Sequence, residues 1–153
     1  MKFSLPVLLV SLLCAASAQA ETAYYRDPSL HGNTVVFTAE GDLWRVPLSG
    51  GSAQRLTTQA ALESQATLSA DGRRIAFVAS YDANPEVYVM PVDGGAPKRL
   101  SFEGGGVRVQ GWTPAGEVLY ASTAVTGPGS SVVLRAINPD TLAQRTLPFT
   151  DAN

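Results

Sequence analysis

Pro91-Val92-Asp93-Gly94-Gly95-Ala96-Pro97-Lys98-Arg99-Leu100 has a near copy upstream, Pro47-Leu48-Ser49-Gly50-Gly51-Ser52-Ala53-Gln54-Arg55-Leu56. Gly51 and Gly95 are 44 positions apart, and so are Leu56 and Leu100. A period of that size marks solenoids and propeller blades. A structural repeat is therefore the main fact of this chain, and the Gly-Gly pair marks the same turn in successive units.

Upstream of the first copy, Thr34-Val35-Val36-Phe37-Thr38 and Leu43-Trp44-Arg45-Val46 read as strands, being rich in β-branched and aromatic residues and bounded by turn formers. Glu40-Gly41-Asp42 joins them, Gln54-Arg55-Leu56-Thr57 is the last short strand, and Glu21 to Leu30 reads as a lead-in to the turn at His31-Gly32-Asn33. The second unit runs Ala66 to Ser69 (strand), Ala70-Asp71-Gly72-Arg73 (turn), Arg74 to Ala79 (strand), Tyr81 to Pro85 (a longer loop), Glu86 to Met90 (strand), and Lys98 to Ser101 (outer strand). The third is looser. Gln110 to Thr113 stands first, then the turn Pro114-Ala115-Gly116, the strand Glu117 to Ala121, a loop at Thr126 to Ser130, and Val132 to Ala136. Asn138-Pro139-Asp140-Thr141 takes the Gly-Gly slot and Ala143 to Leu147 the outer strand. The units span about 24–58, 66–103 and 110–148.

No span has helical periodicity long enough for a crossover helix, which excludes an α/β sheet. The middle strands, such as Ile75-Ala76-Phe77-Val78 and Val87-Tyr88-Val89-Met90, are apolar on both faces, whereas a sheet with one wet face alternates. Four-stranded units buried on both faces predict an all-β protein, a β-propeller of which about three blades are present and which is incomplete. The strands of Leu68 and Trp112 are expected innermost and that of Arg99 outermost. A sandwich of about twelve strands competes, but a sandwich requires no repeat this regular.

The first twenty residues stand apart. Lys2, the apolar run Phe3 to Ala16 and the Ala18-Gln19-Ala20 site have the form of a secretory signal peptide, so the mature chain is expected to begin at Glu21, in the periplasm or secreted, with no membrane contact after cleavage. Leu13 before Cys14 argues against lipid attachment. Removing twenty of 153 residues leaves 133, takes away Cys14 (the single cysteine), and moves the formal charge from −2 to −3 as Lys2 is lost. Disulfides and thiolate metal sites are thereby excluded, and an acidic chain without a basic stripe is not expected to bind nucleic acid. Arg73-Arg74 and Lys98-Arg99 read as solvated turn or edge residues.

Ser69-Ala70-Asp71-Gly72-Arg73-Arg74-Ile75-Ala76-Phe77 resembles the S-P-D-G-x-x-I-A-F core of WD40-like repeats in TolB-type propellers, with Ala70 at the usual proline. Gly41-Asp42-Leu43-Trp44 after Val35-Val36-Phe37, Gly50-Gly51 to Arg55-Leu56-Thr57, and Gly111-Trp112-Thr113-Pro114-Ala115-Gly116 resemble more narrowly the N-terminal propeller of tricorn proteases. The resemblance covers Tyr24 to about Leu147. It implies a large serine peptidase, a homo-oligomer, whose propellers gate peptides and whose catalytic Ser and His lie far downstream. The alternative is a non-enzymatic TolB-type interaction module, or the propeller appended to a secreted amidohydrolase.

No catalytic, cofactor-binding or metal residue is assigned, and no cofactor is expected. His31 sits in a turn slot with no nucleophile motif beside it. There is no G-x-S-x-G elbow. Asp82-Ala83-Asn84-Pro85-Glu86 lacks the glycine of a calcium loop, and Gly104-Gly105-Gly106 and Gly127-Pro128-Gly129 precede no helix. Trp44, Tyr88 and Trp112 are repeat-equivalent aromatics, read as blade core rather than as ligand platforms. The partners expected are peptides or other proteins at the propeller channel.

Overall fold

In the computed structural model the described residues are 24–124 and 132–148. The stretch expected to be a signal peptide, the Thr126 to Ser130 segment and residues 149–153 lie outside them. Among the described residues, twelve strands build three antiparallel sheets of four. The first holds β1 (Arg26–His31), β2 (Thr34–Ala39), β3 (Asp42–Pro47) and β4 (Gln54–Arg55). The second holds β5 (Glu63–Leu68), β6 (Arg74–Asp82), β7 (Asn84–Pro91) and β8 (Lys98–Arg99), and the third β9 (Val107–Trp112), β10 (Val118–Ser122), β11 (Val133–Ile137) and β12 (Gln144–Thr146). Neighbours in each sheet are neighbours in sequence. No helix occurs among the described residues.

The sheets meet through their first strands, β1 beside β5 and β5 beside β9. Each sheet is thus a blade with its first strand innermost, and the three blades form an unclosed β-propeller. The expected order, Leu68 and Trp112 inside and Arg99 outside, is the one found.

Two apolar layers fill the spaces between blades. Between blades one and two, Val36 and Leu43 meet Ile75, Phe77, Ala79, Tyr88 and Met90. Between blades two and three, Ala76, Val78, Val87 and Val89 meet Val118, Tyr120 and Ile137. Consecutive residues of β6 therefore point to different neighbours, which is why the strand reads as an unbroken apolar run.

The lead-in before His31 is corrected: Arg26–His31 is the innermost strand of blade one. It hides from a pattern search because only Ser29 is even half-buried and a bulge separates Arg26 from Ser29 in its pairing with β2. Likewise β5 begins at Glu63 and β9 at Val107, each three residues before the apolar signal, with bulges in both. The Tyr81 to Pro85 segment is no long loop. There β6 and β7 extend as a hairpin pairing Asp82 with Asn84, and Ala83 makes the turn at φ 75°. The extra residues lengthen the ladder. Gly94 and Gly95 do take positive φ, 95° and 133°, as their turn requires.

Candidate functional site

The innermost strands carry a series of polar side chains directed at the next blade. Asp27 and Gln65 occupy equivalent bulge positions, and both hold left-handed backbone, φ 49° and 57°, uncommon for residues with a Cβ. The bulge turns each side chain along the ring of inner strands. Asp27 Oδ2 accepts the N–H of Gln65 at 2.9 Å, and Gln65 Oε1 accepts the N–H of Val109, its own equivalent in blade three, at 3.0 Å. Ser29 Oγ accepts from Leu68 N at 3.0 Å, and the Trp112 indole donates to Thr67 O at 3.0 Å. A cleft of about 290 Å³ lies between the first two inner strands, lined by Asp27, Pro28, Ser29, Gln65, Thr67 and Val109 among others. It offers hydrogen-bonding side chains and no nucleophile paired with a base.

A second set of polar groups binds the outer strand to the third. In blade one the Arg55 guanidinium pairs with Asp42, and in blade two Arg99 pairs with Glu86 at 3.0 Å. Thr57 Oγ1 accepts from Leu43 N at 2.9 Å, and Ser101 Oγ accepts from Val87 N at 2.8 Å. These are the same positions 44 residues apart, so the Arg-Leu-Thr and Arg-Leu-Ser ends of the two copies are clamps. The expectation that Lys98-Arg99 merely solubilise an edge is corrected. Arg99 holds Glu86 and Asp82, while Lys98 Nζ donates to Pro139 O of the next blade at 2.6 Å. Arg74 likewise reaches Asp140 at 3.0 Å, and Arg45 pairs with Asp93.

Glu63, Glu86 and Glu103 are three buried or half-buried carboxylates in and beside these clamps. Burial raises the carboxyl of Glu63 above its usual range; the bonds from Thr57, Tyr81 and Leu43 N oppose that rise without cancelling it, and the Asp42 charge adds to it. Glu86 and Glu103 are also desolvated, yet both are held below the ordinary value. Ser101, the Gly104 and Glu103 amides and Arg99 do so for Glu86, and Tyr120, Gln144, Ser122 and Arg135 for Glu103. Glu63 and Glu103 sit at the joins between blades, while Glu86 ties the outer strand of blade two and the segment after it to the third strand. Their chemistry is cohesion, since none faces a cleft with a nucleophile, and no group of three or more metal-ligating side chains occurs among the described residues.

The aromatic residues divide. Tyr88 is buried between blades one and two and Trp112 packs against the second apolar layer, as expected of core. Trp44 does not. It lines a mainly apolar pocket of about 490 Å³ on the outer face of blade one, with Tyr24, Tyr25, Phe37 and Leu62. His31 is exposed, and its ring lies over Gly72 of the next blade. Sequence reasoning missed the Asp27–Gln65–Val109 series and the Glu63 and Glu103 joins; the one available signal was a polar residue beside a strand start in each unit.

Four-stranded antiparallel blades meeting at their first strands, with side-chain relays from blade to blade, define a β-propeller. The sequence profile of the tricorn protease N-terminal beta propeller domain matches residues 22–153, and the chain belongs to that family. It is similar to Tricorn protease homolog 1 of Streptomyces coelicolor, 44% identical over 105 residues, which are 68% of this chain and 10% of that protein. The chain thus spans about a tenth of the length of that curated relative. Among solved structures it is similar to the tricorn protease, with a TM-score of 0.70 at 23% identity, covering 82% of this chain and 13% of that one. It also resembles TolB from Acinetobacter baumannii, with a TM-score of 0.66 at 21% identity, covering 83% of this chain and 33% of the other. Those two likenesses concern the fold.

Proposed function

We propose that these blades are the N-terminal, non-catalytic part of an exported tricorn-like serine peptidase, where they form part of a channel wall that admits or releases peptides. The observation that carries the reading is the family match over 22–153 together with the small share of the relative's length that the chain spans. The polar inner strands support it. Asp27, Ser29, Gln65 and Thr67 line the cleft between the inner strands and, although Asp27 Oδ2, Ser29 Oγ, Gln65 Oε1 and Thr67 O are bonded to the next blade, give the channel wall a polar character that tolerates many peptide sequences. Catalysis belongs to domains beyond this chain, export follows from residues 1–20, and the parent assembles as a homo-oligomer.

The test has two arms. The parent peptidase should cleave short chromogenic peptides, and this chain by itself should cleave none. Placing Trp at Gln110, an exposed residue of innermost β9, should then lower kcat/KM for long peptides and leave that for dipeptide reporters unchanged. Equal losses on both substrates would remove the channel role. An open reading frame with an early stop or a His-x-His metal motif downstream would replace the peptidase by an interaction module or an amidohydrolase. Mass spectrometry of the exported chain should give Glu21 as its first residue.

A further inference from the structure

The two seams between blades differ at their outer ends. In blade two Tyr88 lies across the sheet from Phe77, and Tyr81, four residues past Phe77, stands edge-on to Tyr88 with ring centroids 4.8 Å apart. These rings close the outer end of the seam with blade one. In blade three the register sets Arg135 opposite Tyr120, in the slot of Tyr88, and the residue four past Tyr120 is Ala124. A guanidinium and a methyl group thus stand where blade two has two tyrosine rings. The seam between blades two and three stays open there as a cleft of about 310 Å³, bordered by blades that each have all four strands.

Leu100, Phe102, Ile137 and Leu142 give the cleft apolar walls, and with Phe102 72% and Leu142 41% exposed it is reached from the perimeter, not from the channel. The link after Phe102 runs so near that a Cβ on Gly105 would lie 3.2 Å from Ala124 Cα, an approach that glycine allows. The charges of the cleft are matched within it. Glu103, its side chain 6% exposed, accepts from Arg135 Nη1 and Tyr120 Oη at 2.8 Å and from Ser122 Oγ and Gln144 Nε2 at 2.9 Å. Two functions remain for a ligand. The Arg135 Nε–H is buried and has no acceptor among the described residues, a state that buried donors rarely keep. Gln144 gives its amide N–H groups to Glu103 and Tyr120, which leaves its amide oxygen to accept. One donor, one acceptor and apolar walls match the C=O, N–H and side chain of an extended polypeptide. The volume is at the lower end of ligand cavities, roughly 300–1,000 Å³, and so admits only a few residues.

We propose that this cleft docks a short internal stretch of a partner polypeptide, a few extended residues carrying a bulky apolar side chain, with a carbonyl that accepts from Arg135 Nε and an N–H that donates to Gln144. Charge balance selects an internal stretch. A free ammonium or carboxylate end would enter a site whose ion pair is already complete, and would stay unpaired there. This inference does not rest on the peptidase reading, since the cleft lies on the perimeter and the channel takes no part in it, and either can fail alone.

The test is photocrosslinking of the full-length protein that carries this chain, with N-acetyl-photoleucyl-leucinamide as a capped, uncharged probe. Mass spectrometry should find the label on fragments containing Phe102 or Leu142. Excess N-acetyl-leucyl-leucinamide should displace it, and uncapped Leu-Leu should do so at least about tenfold less well. Arg135→Lys keeps a cation for Glu103 but removes the Nε–H, and should cut labelling about tenfold, the loss of one hydrogen bond to a charged group. Phe102→Ala removes an exposed wall that the fold does not need, and should cut labelling at least as much; it carries the test if Arg135→Lys loses its fold. No label at the cleft, equal displacement by uncapped Leu-Leu, or undiminished labelling in either variant would each overturn the proposal.

Discussion

Arg99 and Glu86 meet at 3.0 Å between the outermost strand and the third strand of blade two, Glu86 only 1% exposed and Arg99 25%. Arg55 and Asp42 repeat the contact in blade one, with Arg55 at 46%. The outer strands of blades one and two have two residues each, so the ion pair adds to the few bonds that hold them, the Leu56 and Leu100 amides and the Thr57 and Ser101 hydroxyls. Arg99→Ala leaves a buried carboxylate with Ser101 and two amides but no cation, and should cost about 2–3 kcal/mol in urea denaturation. Arg55→Ala, more exposed to water, should cost about half as much. Equal costs would show that burial does not set the strength of the clamp.

Glu63 gives the seam between blades one and two a pH signature of its own. Its folded pKa is raised above the ordinary 4.5, so its contribution to stability is complete below that value and is lost as pH rises through the folded pKa. Glu86 and Glu103, held low, contribute above 4.5 and lose that contribution as pH falls through their folded values. Glu63→Gln should therefore match wild type near pH 4 and melt higher at pH 8, by about 3 °C for each kcal/mol of relieved desolvation. A melting difference that is the same at both pH values would exclude Glu63 as its source.

Gly72 sits at φ +70° under the ring of His31, and a Cβ built there would lie 2.3 Å from the imidazole Cδ2. Gly72→Ala should cost about 2 kcal/mol, half from the left-handed backbone and half from displacing the ring. Removing the ring with His31→Ala in the same chain should recover only the second half. Full recovery in the double variant would mean the backbone conformation carries no strain.

Gln65 is the middle of the inner series, and among the described residues its side chain is the one that reaches Val109 N. Gln65→Ala should cost about 1 kcal/mol and raise hydrogen exchange at Val109 ahead of the global opening. Gln65→Asn tolerates the left-handed backbone better but is a methylene short, so it should leave the same amide unprotected. Protection of Val109 in either variant would mean that another acceptor takes the bond.

What the amino-acid sequence made legible follows from where conformational constraint is local. The Gly50-Gly51, Gly94-Gly95 and Asp71-Gly72 turns are written in the residues that make them, because positive φ is a demand few side chains meet. Strands such as Val87 to Met90 were legible because both their faces are buried. The inner strands were not, since Asp27, Pro28 and Gln65 sit at bulges and face water or a neighbouring blade, where no alternation survives. The roles of Glu63 and Glu103 depend on partners up to 41 positions away, and no local pattern records such a distance. Trp44 was grouped with Tyr88 and Trp112 because it is their repeat equivalent; it differs only because no described blade covers its face.

Every blade draws its four strands from one unbroken stretch of chain, in order, and exchanges none with its neighbours. Ladder hydrogen bonding is thus settled inside the stretch, and what crosses from one stretch to the next is mostly side chains, with the Glu63 N–H to Gly41 O bond at 2.9 Å a backbone link between the first two blades. A gene that duplicates one such stretch inserts a self-contained part, provided the new copy presents an acceptor like Gln65 on one side and an amide like that of Val109 on the other. Growth by duplication then costs no rewiring of existing strands, and the number of blades becomes a quantity that can drift between relatives while the join between any two stays the same.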